Sequence, residues 1–227
     1  MTEPEQAMSP AHLLRLHLEA VWWGCAVPDL SLPDVEIDDA RAPLVYQGTW
    51  TGGSVRIWQR GMTVSDRDAL AKALWDPTPS TYQGSSEVVL IQTERPVLSL
   101  DAAASIARII GAAESKLVAT HEADSVEYYL GSVERCPIVG VVADGRLVTV
   151  AHSSRRTRVA VELGIETLPD YRRRGFALAA TIVWAATVRQ EGLIPFYSAR
   201  ADNTASLALA AKAGYRPFAW GTSLWKS

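Results

Sequence analysis

Apolar positions near the N-terminus recur with helical spacing. Leu14, Leu18, Val21, Trp22 and Cys25 fall at i, i+4, i+7, i+8 and i+11. Ser9 is a capping residue and Pro10 suits the first helical position, so a helix is predicted from Ser9 onward, after a polar tail over residues 1–8. Pro28, Pro33 and the acids through Asp39 read as loop. Leu44–Thr51 and Ser54–Gln59, joined by Gly52-Gly53, have the pattern of a β-hairpin. Ser65–Trp75 follows as a helix with Ser65 as its cap. Asp76–Ser86, with Pro77, Pro79, Gly84 and clustered Ser and Thr, breaks the pattern and marks a boundary between regions 1–84 and 85–227.

Beyond that boundary the rhythm changes. Val88–Thr93 is a short apolar strand, and Asp101–Ile110 a helix stopped by Gly111. Ile138–Ala143 and Leu147–Ser153 are β-branched runs joined through Asp144-Gly145, a hairpin turn. Val159–Leu168 alternates as a further strand. A helix from about Gly175 to Arg189 follows, apolar on nearly every side and therefore buried against a sheet. Leu193–Ala199 is a strand, Thr204–Ala213 a helix ended by Gly214, and Tyr215–Trp225 a last extended segment. This succession implies a mixed α/β sheet with helices packed on it.

Composition narrows the classes. With 48% hydrophobic residues in 227, the chain is long enough to bury a sizeable core. A net charge of -3 speaks against a protein that coats nucleic acid or an anionic membrane surface, despite Arg155, Arg156 and Arg158 and a second run at Arg172–Arg174. The longest apolar stretch, Phe176 to Val188, is shorter than the roughly 18–20 residues of a membrane span. Two cysteines, Cys25 and Cys136, lack metal-ligand spacing and read as buried small hydrophobes in a reducing, cytoplasmic setting. No basic-then-apolar leader stands at the N-terminus.

Candidate chemistry concentrates in Glu162-Leu-Gly-Ile-Glu-Thr-Leu-Pro-Asp-Tyr-Arg-Arg-Arg-Gly-Phe-Ala177. A strand ends at Leu168, Pro169 breaks it, and a basic turn leads into a helix. The first backbone N–H groups of a helix have no intrahelical partner, and the dipole adds positive potential there. Gly175 lets a ligand approach without a Cβ in the way, and Arg172, Arg173 and Arg174 offer charge-assisted bonds to phosphate oxygens. Together these are the elements of a pyrophosphate cradle. A solvated arginine loop is the competing reading. The turn lacks the G-x-G-x-x-G of a dinucleotide fold and the Gly-Lys-Ser/Thr of a Walker loop.

Residues from roughly 85 to 220 resemble the GCN5-related N-acetyltransferase (GNAT) superfamily. Arg172, Gly175 and Ala177 match its Arg/Gln-x-x-Gly-x-Gly/Ala signature, and Thr167-Leu168-Pro169 stands where that family ends its splayed fourth strand. Asn203-Thr-Ala-Ser206 and Lys212-Ala-Gly214-Tyr215 are similar to its Asn-x-x-Ser and Lys-x-Gly-Phe segment, with room between for one helix and one strand. The resemblance implies a mixed, mostly antiparallel sheet splayed at the fourth core strand, with helices on both faces. An N-terminal helical and hairpin extension (1–84) would precede the acetyl-CoA-binding domain (85–227) and wall the acceptor site. It implies an N-acetyltransferase that uses acetyl-CoA as co-substrate, without a metal, in a ternary complex. Amides from Arg173 through Phe176, Ala177 and Leu178 would hold the pyrophosphate. Ile165, Thr167 and Leu168 would pair with the pantetheine arm and polarise the thioester carbonyl. Asn203 and Ser206 would contact the same cofactor. Asn203 also reads as a helix N-cap, and Ser206 as a surface hydroxyl.

The acid and base depart from the family pattern, because Ala210 stands at its usual helix tyrosine. Tyr197 is the substitute acid, with core packing as its other role; Tyr215 reads as core. Glu162 and Glu166 share one strand face and are the candidate bases, Glu162 first; a pair of surface acids is the alternative. His152 is a further candidate, and His121 reads as a loop residue. Trp22, Trp23, Trp50, Trp58 and Trp75 in the extension read as core, as a dimer interface or as an apolar acceptor pocket. A small-molecule amine is the expected acceptor, with a second likeness to antibiotic self-resistance acetyltransferases. A non-catalytic acyl-CoA-binding sensor or degenerate subunit stays open, as do monomer and homodimer.

Overall fold

The computed structural model describes residues 8–22, 24–75, 82–122 and 124–226. Residues 1–7 of the expected polar tail, Trp23 and most of the predicted boundary segment lie outside them. The chain divides into two compact units, one of residues 1–90, 198–204 and 217–227, the other of 91–197 and 205–216. The division at 84/85 follows chain order. Compactness instead follows the sheet, because late strands return to the first unit.

The first unit opens with α1 (Pro10–Val21), capped by Ser9, whose side chain accepts from the His12 N–H. Strands β1 (Asp34–Ile37), β2 (Val45–Trp50) and β3 (Gly53–Gln59) follow, with β2 and β3 forming the expected antiparallel hairpin. Helix α2 (Val64–Ala73) begins one residue before the predicted cap: Thr63, not Ser65, is the N-cap, because Thr63 and Asp66 form a reciprocal capping box. Strand β4 (Tyr82–Gln92) starts earlier than its apolar core suggested. Alternation along β2 and β3 feeds two clusters. Tyr46, Val55 and Ile57 pack with Leu14, Leu18 and Trp22 of α1, while Val45 and Trp58 pack with Leu70 of α2. Trp22 and Trp58 are thus core, Trp50 packs against it, and Trp75 is exposed.

In the second unit, α3 (Leu100–Ala104) is capped by Ser99 and stops well short of the predicted Ile110. Arg108–Ile109 instead forms β5, paired with β6 (Val139–Ala143). Between them lie α4 (Ser115–Val118) and α5 (Ser125–Leu130), too short for a periodic signal. Strand β7 (Arg146–Arg156) is reached through Asp144 and Gly145, both at positive φ (52° and 74°), as a tight hairpin turn requires. Strand β8 (Ala160–Thr167) pairs antiparallel with β7, and α6 (Phe176–Gln190) packs on β6, β7 and β8. Strand β9 (Ile194–Arg200), α7 (Thr204–Lys212) and β10 (Tyr215–Lys226) complete the chain. Strand order is β1-β3-β2-β10-β4 in the first unit and β9-β8-β7-β6-β5 in the second. The architecture is the mixed α/β, mostly antiparallel sheet flanked by helices that the resemblance implied. Cys25 is buried as expected; Cys136 is exposed, because it lies in the loop between a 3-10 turn and β6.

Candidate active site

Strand β8 organises the site. It runs parallel to β9, but the pairing covers Ala160–Ile194, Val161–Pro195 and Glu162–Phe196, where the register ends. Towards Thr167 the strand keeps its partner β7 on one side, and the β9 side opens. The Leu168 N–H donates to the Val148 carbonyl at 2.9 Å. By the alternation of an antiparallel ladder, the amides of Ile165 and Thr167 therefore face the opening. Arg172 Nε reaches back to the Thr167 carbonyl at 3.1 Å and ties the following turn to the strand.

That turn is a 3-10 segment over Pro169–Tyr171, then Arg172 in extended conformation. Arg173 has φ 63° and Gly175 φ 82°, so the chain is left-handed twice before α6 starts. Gly175 occupies the N-cap without a side-chain hydrogen bond, and no acid stands in the first turn. The starting amides at Phe176, Ala177 and Leu178 are therefore left to an external acceptor. A Cβ at Gly175 would meet nothing within 4 Å, so the left-handed φ, rather than crowding within the chain, demands glycine. The Arg174 guanidinium lies over the Tyr171 and Phe176 rings, at 5.3 and 4.8 Å, while Tyr171 donates to Asp144 at 2.9 Å. The predicted arginines thus divide: Arg172 braces the strand, Arg174 stacks, and Arg173 is exposed in the bend.

The two glutamates lie in different surroundings. Glu162 is 4% exposed and sits in the last β8–β9 pair, opposite Arg155 on β7. Glu166 has a side chain 54% exposed and lines a cavity of about 400 Å³ with Glu122, Asp124, Ser125, Tyr128 and Tyr129. The Tyr129 hydroxyl donates to Glu166 Oε2 at 3.1 Å. Burial and the adjacent Glu166 carboxylate push the Tyr129 phenol well up, so it stays a donor. Behind Glu166 stands His121, whose Nδ1 is 2.9 Å from the Leu147 carbonyl oxygen. That oxygen only accepts, so in the neutral ring Nδ1 carries the hydrogen and Nε2 turns its lone pair to Glu166 Oε2, 3.8 Å away. His121 is thus a buried part of the site, where the sequence suggested only a loop.

Between the two glutamates, on the same strand face, is Gly164. Its missing Cβ makes room for His152: an added carbon would come 2.2 Å from His152 Cε1. The His152 ring packs edge-on against Tyr128 and Tyr129, and its Nε2 lies 3.4 Å from the Tyr128 hydroxyl. Burial, then Arg135 and Arg155, bring its pKa down to about 4, so His152 is neutral near pH 7. Neither Tyr128 nor Tyr129 was a sequence candidate. Their doublet carries no spacing motif, and only the docking of α5 brings it to β8.

Tyr197, the candidate acid, is buried with its hydroxyl 2.8 Å from Ser206 Oγ, and its ring packs on Tyr215. Burial raises its pKa. Ala210 and Tyr215 are fully buried, as read from the sequence for Tyr215. Gly214, at φ 84°, lets Glu94 pack against it, since a Cβ would stand 2.3 Å from the Glu94 carbonyl oxygen. The Lys212–Tyr215 motif therefore serves packing. Asn203 directly precedes α7, its N–H bonded to the Arg200 carbonyl at 3.0 Å.

Residues 138–219, which hold the opened strand, the turn and α7, match the family model described as GNAT acetyltransferase. That stretch is similar to a GNAT acetyltransferase domain. Two solved structures agree on the fold. An acetyltransferase of the GNAT family from Colwellia psychrerythraea is 14% identical, with 76% of each chain covered and a TM-score of 0.51. A GCN5-related N-acetyltransferase-like protein from Streptococcus suis is 16% identical, with 76% of this chain and 72% of that one covered and a TM-score of 0.50. A GNAT-family protein from Novosphingobium aromaticivorans is 25% identical over 66% of this chain and 69% of its own, at TM-score 0.47. No curated protein sequence matches the chain. Among the described residues, no helix is long and apolar enough to cross a membrane, and no group of His, Cys, Asp and Glu could hold a metal ion.

Proposed function

We propose that the GNAT domain transfers an acetyl group from acetyl-CoA to the amine of a small molecule, with Glu166 as the base. One observation carries the reading: consecutive residues of β8 face two different spaces. The Ile165 and Thr167 amides face the opened edge, and Glu166 between them lines the cavity. The left-handed turn and the α6 amides fit a diphosphate, and Ser206 adds a polar contact to the same co-substrate. When bound, the thioester supplies an acyl carbon to which the amine nitrogen bonds as the carbon–sulfur bond breaks.

This chain's residues then manage orientation and protons. An amide of β8 polarises the thioester carbonyl. Glu166, held by the Tyr129 hydroxyl, takes a proton from the substrate nitrogen and leaves its lone pair free to attack the acyl carbon. Tyr197, neutral and bonded to Ser206, is the acid for the departing thiolate. This reverses the order of the two glutamates suggested by sequence, because Glu162 is buried away from the cavity lining. CoA release measured over an amine panel tests the reading. Glu166→Gln is expected to lower kcat by about 10²–10³-fold, while acetyl-CoA still binds. An unaltered rate in Glu166→Gln, or coenzyme binding without turnover of any amine, would return the chain to the acyl-CoA-binding alternative.

A further inference from the structure

The proposed transfer uses one of the three carboxylates in the cavity wall. Glu166 takes the proton; Glu122 and Asp124 have no part in that step. Neither of those side chains has a hydrogen-bond or ion-pair partner among the described residues, and no lysine or arginine lines the cavity. Like charges gathered around one space repel each other until a cation joins them. A second feature points the same way. The His121 side chain, 1% exposed, turns an Nε2 without a hydrogen-bond partner toward Glu166 on the cavity wall. The site therefore has acceptor capacity in excess of its own donors. Tyr128 already serves one cation, the Arg135 guanidinium 4.3 Å from its ring, and three carboxylates leave the cavity negative despite it. A volume of about 400 Å³ suits a small molecule rather than a folded partner.

We infer that the acceptor carries two positive charges: one amine reacts beside Glu166 while a second ammonium is held by Glu122 and Asp124 next to Tyr128. The inference rests on the proposed transfer for the role of Glu166 alone; the cation site stands on the cavity. The chemistry is unchanged. The nitrogen–acyl bond forms, the carbon–sulfur bond breaks, the amine proton goes to Glu166 and the thiolate is protonated by Tyr197 or water.

Calorimetric titration of the full-length protein with linear diamines and monoamines of matched chain length tests it, with CoA release from acetyl-CoA followed in parallel. Diamines are expected to bind about tenfold or more tightly than their monoamine counterparts. In the double variant Glu122→Gln, Asp124→Asn that preference disappears, while acetyl-CoA affinity, which reports a folded domain, is retained. Equal binding of both amine types, or a preference that survives the double variant, overturns the inference. Diamine preference without CoA release supports the cation site and overturns the proposed transfer. Release from monoamines at the diamine rate overturns the second charge and leaves the transfer standing.

Discussion

The arginine turn and the acidic cavity meet on β8 but draw on the chain in opposite ways. The turn is one contiguous run from Thr167 to Leu178, built from a strand end, two left-handed residues and uncapped amides. Its positive potential comes from backbone as much as from side chains. The cavity is assembled from the segment before α5, from α5 itself and from one residue of β8, and its potential is negative. Adjacent peptide units thus face a corner of positive potential and a space of negative potential. In the proposed reaction, separation of the two charges along one strand would let a diphosphate and an ammonium approach without competing for the same groups.

The largest effect concerns the back wall of the cavity. His152 titrates near 6.5 in an unfolded chain and at about 4 in the folded one. Between these values the unfolded chain binds more protons, so stability rises with pH. The contribution, about 3 kcal/mol, is fully present above pH 6.5 and lost as pH falls toward 4. Thermal melts across that window should show the slope, and His152→Gln should flatten it. A slope unchanged in the variant would detach His152 from the cavity's support. Gly164→Ala, which drives a carbon into the imidazole, should cost about 2 kcal/mol of stability in the same melts.

Gly175→Val attacks the other region. A β-branched residue at φ 82° is strained, so acetyl-CoA affinity should fall by about 2 kcal/mol, roughly thirtyfold, with the KM for amine little changed. Undiminished coenzyme affinity would break the comparison, because the turn would then not be the anion corner. Tyr129→Phe is the gentlest probe. Loss of its bond to Glu166 should lower kcat about fivefold, near 1 kcal/mol, and leave acetyl-CoA binding intact. A change in coenzyme affinity instead would mean that the two regions are not separable.

Legibility followed contiguity. Gly52-Gly53, Asp144-Gly145 and the run into α6 were readable because each is decided within a few residues by backbone conformation and capping. Predicted ends failed where a neighbour two or three residues away competed for the same role. Thr63 displaced Ser65 as a cap through Asp66, and Arg108–Ile109 left the expected helix to pair with β6. The cavity gave no such local sign: Tyr128, Tyr129, Glu122 and Asp124 lie on a short helix and its approach, with no periodicity to mark them.

The sequence by itself determined a glycine turn leading into α6, the exposed amides of that helix, and that Glu162 and Glu166 share a strand face, since these depend on local residue choice and on the alternation of a strand. Only the tertiary structure decided which glutamate reaches open space. That depends on where β9 parts from β8 and on α5 docking over His121 and His152. Burial is a property of what a residue is packed against, and no stretch of chain carries that information alone.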